Sequence, residues 1–422
     1  MLIILNFLFI LCIIYRRGEN IVKICGIICE YNPFHNGHAL HIKKTRELLG
    51  EDTFVICVMS GNYTQRGEPA IMPKHLRAQS AILNGADLVI ELPSAYSLMS
   101  AEGFAKSGIY ILNELGVVND ISFGAETSDT EQLSNIADLL TEHVIVQKTL
   151  LEMKSGISYA AARERALYSR IKENANIISS PNNILGIEYI KALKSMSSSI
   201  IPHAIVRIGA THDAPSPCKG TLSASAIREK LYNKDICSVK EFMPEFSYQV
   251  LSNAIDKNLC LINRDLFDIN MFTYLLRLSA EDFRKYSDVS EGLEHRIFKA
   301  IHSSKNVSCA IEKIKSKRYP LSRIRRIFMC AYLGIEANDR ENKPEYARVL
   351  AFNENGRMIL SELRKKSNIP IITKPAHIHD ISKSASYSFE KEALSTDLYY
   401  LALNNYKEHF PGIDWRTQAV KL

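Results

Sequence analysis

His35 and His38 stand three residues apart in the stretch EYNPFHNGHALHI, Glu30 to Ile42, with Pro33 and Phe34 ahead of them and Gly37 between. Side chains at i and i+3 share one face of a helix. Pro33 stops an extended run, and Gly37 lets a ligand approach the backbone closely. At a helix start the free N–H groups and the helix dipole already favour an anion. Two imidazole donors aimed there suit phosphate oxygens and charge that grows in a transition state. Capping or packing is the alternative for each histidine taken singly. HxxH can also supply two zinc ligands, but His41 drifts off the shared face and no third ligand is evident, so no metal site is expected. No GxxxxGK[ST] loop is present, which excludes a P-loop enzyme.

A second polar cluster lies far along the chain. In GTLSASAIREKL, Gly220 to Leu231, Thr221, Ser223 and Ser225 gather at a helix start and Arg228 lies one turn inside. Hydroxyls and free N–H groups there suit phosphate, and an arginine adds a forked donor. Alone, such a cluster is an ordinary N-cap; beside HxGH it becomes specific.

Four short apolar, β-branched runs position these residues: IVKICGIICEY, FVICVMS, DLVIELP and NDISFGAE. They recur at about 30-residue intervals with helical patterns between them, the rhythm of βαβ units. The connecting helices are expected over Gly37 to Leu49, Lys74 to Asn84 and Leu98 to Leu115. A fifth strand is expected over His203 to Ala210, after a helical insert from Ser128 to Ser195. The expected fold is α/β, a doubly wound parallel sheet of the Rossmann kind covered on both faces. In such sheets ligands bind at the carboxyl ends of the strands, where HxGH falls. Beyond Asn233 the strand rhythm stops and long helical patterns follow. A mostly helical C-terminal domain is therefore expected over 235–422, after a catalytic domain over 21–234.

The chain has 422 residues, 46% apolar and 23% charged, with net charge +6 and mean hydropathy near zero. That length calls for about two domains. The nine cysteines form no CxxC pair, which points to a reducing compartment and against a disulfide framework or zinc site. The apolar run from Leu2 to Tyr15 is shorter than the ~20 residues a spanning helix needs, and Arg16 and Arg17 follow it instead of preceding it. Residues 1–20 are read as a segment translated from a misplaced start; a weak anchor or an ordinary apolar element are the alternatives. No stable membrane association is expected.

HxGH together with LSASAIR, which has Leu222 at its first position, resembles the nucleotidyltransferase superfamily with HxGH and ISxSxIR signatures. Members activate a carboxylate or phosphate by its attack on the α-phosphate of ATP. More narrowly, GIICEYNPFHNGH, MSGNYTQRGEPA, GADLVIELP, FGAE, PNNILGIEYIKAL and KRYPLSRIRRI resemble the tRNA(Met) cytidine acetate ligase family, from about Ile24 to the C-terminus. The resemblance implies a cytoplasmic enzyme that makes acetyladenylate from ATP and acetate. It then acetylates the wobble cytidine of elongator tRNA(Met) to N4-acetylcytidine; Mg²⁺ would accompany the ATP, and DNA is no partner.

Catalytic roles fall to His35 and His38. The resemblance assigns ATP binding to the segment Ile28, Cys29, Glu30, Tyr31, Asn32, Pro33, Phe34, His35, Asn36, Gly37, His38, Ala39, Leu40 and His41. It adds Gly124, Asn182 and Arg207, with Asn183 as the alternative to Asn182; Ser223, Ser225 and Arg228 complete the set. In the loop Ser60 to Ala70, Gln65, Arg66 and Glu68 are candidates for organising acetate or the RNA end; a solvated loop is the alternative. Asp87 and Glu91 flank a buried strand, where Glu91 either points into the site or pairs structurally.

Seven basic residues surround Tyr319 between Lys313 and Arg326, a composition that suits phosphate contacts and base stacking. Lys317, Arg318, Tyr319, Arg323, Arg325 and Arg326 are the tRNA-binding candidates, with Pro320 marking a turn between two basic helices. Two other functions remain open: a nucleotidyltransferase making a dinucleotide or coenzyme precursor, and a non-catalytic RNA-binding protein.

Overall fold

The computed structural model describes residues 23–207, 221–290 and 292–422, with backbone alone for 173–176. The segment 1–20 and residues 208–220 lie outside the described residues. Five strands run parallel: β1 (Ile24–Cys29), β2 (Phe54–Ser60), β5 (Leu88–Leu92), β6 (Asp120–Ala125) and β7 (Ile201–Val206). Their spatial order is β5-β2-β1-β6-β7. The chain winds outward from β1 in one direction and then, from β6, in the other. The ends of β1 and β6 therefore frame the crevice where such sheets bind ligands.

Both faces of the sheet are covered. Ile28, Val58 and Ile90 pack on one side against a helix over Ala101–Glu114 and a second over Pro181–Ser195. Ile27, Val55, Cys57 and Val89 pack on the other against α1 (Asn36–Leu49) and α2 (Lys74–Leu83). Continuous burial along β2 and β5 explains why their sequences read as unbroken apolar runs.

The sheet departs from the expected parallel arrangement at one edge. β8 (Ala347–Phe352) comes from the C-terminal half and pairs antiparallel with β5; β9 (Ile371–Ile372) and β10 (Val420–Lys421) both add parallel to β8. Strand pattern therefore does not stop near Asn233. ARVLAF is short and lies between helical segments, so sequence order gives no hint that it returns to a strand formed far earlier. The rest of the C-terminal half is predominantly helical, as expected, around a core that includes Leu275, Phe283, Ile297, Ile324 and Phe328. Tyr63 and Leu98 from the first half insert into that same core. Tyr63 sits in a hairpin of β3 (Tyr63–Thr64) and β4 (Glu68–Pro69), within the loop that follows β2.

Candidate active site

β1 ends at Cys29, the chain turns through Tyr31 at φ +47°, and α1 begins just after His35. His35 is the helix N-cap. Its Nδ1 accepts from Gly37 N–H at 3.0 Å, while His38 Nδ1 accepts from His35 N–H at 3.2 Å. Capping, the alternative raised for each histidine singly, is thus present, and it engages only the Nδ1 of each ring. With each Nδ1 serving as an acceptor, the proton of each neutral ring is assigned to Nε2. The rings stack with centroids 3.8 Å apart. Gly37 makes this arrangement fit: a Cβ there would lie 2.8 Å from His35 Cε1. Tyr31 and Phe34 back the His38 ring at centroid distances of 4.8 and 5.5 Å.

All three histidines are held neutral. Burial first, then Arg207 and Arg228, lowers His35 to about 3. Burial and His35 hold His38 well below its ordinary value, and burial with Arg207 lowers His41 to about 4. Two guanidinium groups from distant segments thus add their positive field at the histidine pair. Arg207 follows β7; Arg228 lies on α3 (Ala224–Tyr232) and donates to the Asn32 carbonyl at 2.8 Å. Ser223 caps α3 by accepting from Ala226 N–H, and its hydroxyl lies 3.2 Å from that of Ser225.

Across the crevice, Gly124 near the end of β6 lies against Arg207. Asn182 Nδ2 donates to Glu126 at 2.7 Å, and Arg207 donates to Asn182 Oδ1 at 3.4 Å. Asn183 is buried, its Oδ1 accepting from Glu126 N–H at 2.9 Å. Asn182 is thus the asparagine that meets Arg207.

Several candidates serve the scaffold. Ile28, Tyr31 and Phe34 belong to the core. His41 Nε2 meets Ser122 Oγ at 2.8 Å, locking α1 onto β6. Asn36 Nδ2 donates to the Glu241 carbonyl at 2.9 Å. Glu91 does not reach the site: it pairs with Lys74 at 2.6 Å and Arg348 at 3.3 Å. Asp87 accepts from Arg46 and from Val55 N–H. Glu30 joins the ATP segment to the loop after β2, accepting from Gln65 N–H at 2.7 Å.

Sequence reasoning missed Arg77. Fully buried on α2, it donates to the carbonyls of Glu30, Ser60, Gly61 and Met72, tying the ends of β1 and β2 together. A signal existed: Lys74 and Arg77 occupy the same helical stripe as buried Ala78, Ala81 and Ile82, and charges on an apolar stripe need a buried partner.

The basic segment forms a turn between a helix over Val307–Ile314 and α4 (Leu321–Leu333), with Pro320 as N-cap of α4. Tyr319 is buried, with Arg296, Arg318 and Arg323 within 5.8 Å of its ring centroid, so it cannot serve as a base-stacking platform. Arg323 donates to the Asp288 carbonyl, buried Arg326 pairs with Asp288 at 3.2 Å, and Arg325 pairs with Glu68. Lys313, Lys315 and Lys317 are exposed.

A mostly parallel sheet with HxGH at its crevice, and SxSxIR reaching the same loop through Arg228, marks a nucleotidyltransferase. The family model described as HIGH nucleotidyl transferase matches residues 22–411, and the chain belongs to that family. Relatives at high coverage narrow the membership to the tRNA(Met) cytidine acetate ligases. The chain is 41% identical to the one from Thermoanaerobacter sp. (strain X514), over 94% of this chain and 100% of the relative. It is 39% identical to that of Acetivibrio thermocellus, over 91% and 96%. The fold matches Thermotoga maritima TmcAL bound with alpha-thio ATP at TM-score 0.89 and 30% identity, covering 95% of this chain and 100% of that one. The apo form of the same protein matches at TM-score 0.91 and 31% identity, with the same coverage.

Proposed function

We propose that this chain joins acetate to ATP as acetyladenylate, releasing pyrophosphate, and then passes the acetyl group to the exocyclic amine of the wobble cytidine in elongator tRNA(Met). The observation that carries the reading is the stacked pair of neutral histidines. Two Nε2–H groups, locked by their own backbone, lie in the positive field of Arg207 and Arg228. Kinship with ligases of that name, and with a protein that binds alpha-thio ATP, supports it.

In this reading the ATP phosphates lie over the N-termini of α1 and α3. An acetate oxygen attacks the α-phosphorus as the bond to pyrophosphate breaks. His35 and His38 donate hydrogen bonds to the oxygens gaining charge, and Arg207 and Arg228 hold the leaving pyrophosphate. Neutral imidazoles suit this task, since a donor is needed and no proton has to be moved. Mg²⁺ brought with the ATP would offset the phosphate charge and ease departure of pyrophosphate. In the second half-reaction the cytidine amine attacks the acetyl carbonyl and AMP leaves. The exposed Lys313, Lys315 and Lys317, with Arg318, offer phosphate contacts to the RNA. Among the described residues no helix is long and apolar enough to cross a membrane; the proposed place of work is the cytoplasm.

Pyrophosphate exchange into ATP, without tRNA, tests this. Exchange that depends on acetate is expected. Exchange driven by another acid or a phosphate ester, with none for acetate, would move the chain to the makers of dinucleotides and coenzyme precursors.

A further inference from the structure

With Tyr319 buried, the basic turn has no aromatic face to offer a base. One lies on a neighbouring helix, Leu293–His302. Leu293, Ile297, Ala300 and Ile301 turn inward to the core. His295, Phe298, Lys299 and His302, spaced i, i+3, i+4 and i+7, are exposed on the other side. A phenylalanine in that polar stripe is the anomaly, and Phe298 is 36% exposed. The His302 ring lies against it, with centroids 4.1 Å apart and planes inclined at 34°, and His302 Nδ1–H donates to the Phe298 carbonyl at 3.0 Å. The aromatic pair is thus ordered before any ligand arrives, which lowers the entropy lost on binding.

This helix and the basic turn form one surface. Arg296 donates to the Lys313 carbonyl at 3.1 Å. Lys313 Nζ reaches back to Ser303, just past the helix end, and donates to its carbonyl and, at 3.1 Å, to its hydroxyl. Lys299 stands on the stripe itself, and Lys305, Lys315 and Lys317 are exposed on the segments joined to it. Of these four lysines only Lys315 has a carboxylate partner among the described residues, Glu312 at 3.7 Å. A lone exposed apolar side chain is ordinary. An ordered aromatic pair set in positive charge has the composition that holds an unpaired base and its phosphates.

We propose that Phe298 and His302 form a stacking platform for an unpaired base of the substrate tRNA, with Lys299 and Lys305 taking the flanking phosphates. The proposal rests on the reading of the chain as a tRNA acetylator, and it supplies the aromatic contact that Tyr319 cannot make. Every base has a π-face, so the platform anchors a single-stranded stretch without reading its sequence. Selection among tRNAs then falls to other contacts.

Filter binding of the full chain to a tRNA(Met) transcript, over a series of salt concentrations, tests this on variants whose urea midpoint matches the parent's. Phe298→Ala is expected to weaken binding by about 5- to 100-fold, the loss of one stacked base. Its salt dependence should equal the parent's, because no charge is removed. Phe298→Tyr is expected to stay within about twofold of the parent, while Phe298→Leu, apolar but without a ring, should be as weak as Phe298→Ala. Lys299→Gln is expected to weaken binding and to reduce the slope of log affinity against log salt by about 0.7. Parent-like binding by Phe298→Ala overturns the proposal, as does Phe298→Leu binding as well as Phe298→Tyr. An undiminished salt slope in Lys299→Gln overturns the phosphate contact. A parent that binds the transcript as tightly as every variant does overturns the platform and leaves the proposed function standing. A parent that binds no tRNA overturns both.

Discussion

In the proposed reaction His35 and His38 serve as donors, a role that suits rings kept uncharged by burial with each Nδ1 engaged by a backbone N–H. His38→Ala removes one donor without emptying the core behind it, so acetate-dependent exchange should fall by about 100-fold or more. Binding of tRNA should be nearly unchanged, as a filter-binding assay would show. Neutrality also has a consequence for stability. The pKa values of all three histidines are lower in the folded chain than in the unfolded one. As pH falls below about 6.5, the unfolded state takes up protons that the native state refuses, and stability drops toward pH 4. His41→Gln, which spares the two stacked rings, should flatten the acid decline in urea midpoint between pH 7 and 5. The residue types and the i, i+3 spacing were legible in the sequence. The ring stack and the choice of tautomer were not, because they depend on where Gly37 leaves room and which N–H each Nδ1 meets.

At the scale of elements, the rhythm of apolar, β-branched runs was enough to place four parallel strands and the helices between them; the fifth begins two residues earlier than expected, at Ile201, and is mostly not buried. Consecutive strands of this set are joined through helical segments and stay in one sheet, so sequence order and spatial order stay close. β8 breaks that rule, since its partner β5 is separated from it by the whole helical region. Arg77 shows the same limit for a side chain: the stripe on α2 announces a buried charge, but the four carbonyls it serves come from three different segments. Arg77→Ala strands those carbonyls away from water and should cost about 3 kcal/mol in chemical unfolding. Chains that remain folded should show an ATP affinity reduced along with the loosened ends of β1 and β2.

Across the whole molecule, a buried charge network joins the first strands to the last residues. Lys74 meets Glu91 and Asp414 at 2.6 Å each and Glu392 at 3.6 Å, while Arg348 reaches Asp414 at 2.8 Å. Arg348→Met leaves the carboxylates short of a cation and should destabilise the fold by roughly 3–5 kcal/mol, readable as a lower urea midpoint. Three carboxylates face two cations, and Glu392 is pushed up to about 8 by burial and then by Glu91. The native state therefore holds a proton that the unfolded chain releases near pH 4.5. Stability should fall as pH rises from there through about 8, and Glu392→Gln should flatten that alkaline slope in thermal melts. No local pattern predicts this network, whose members come from five separate places in the chain. The late return of β8 bears on how the protein is made. While a ribosome is still translating the helical region, the outer edge of β5 has its hydrogen-bonding groups unpaired, and β-edges in that condition invite association between neighbouring nascent chains. The strand that silences this edge emerges only near the end of synthesis, so the interval of risk is set by the length of the helical region rather than by the stability of the finished sheet.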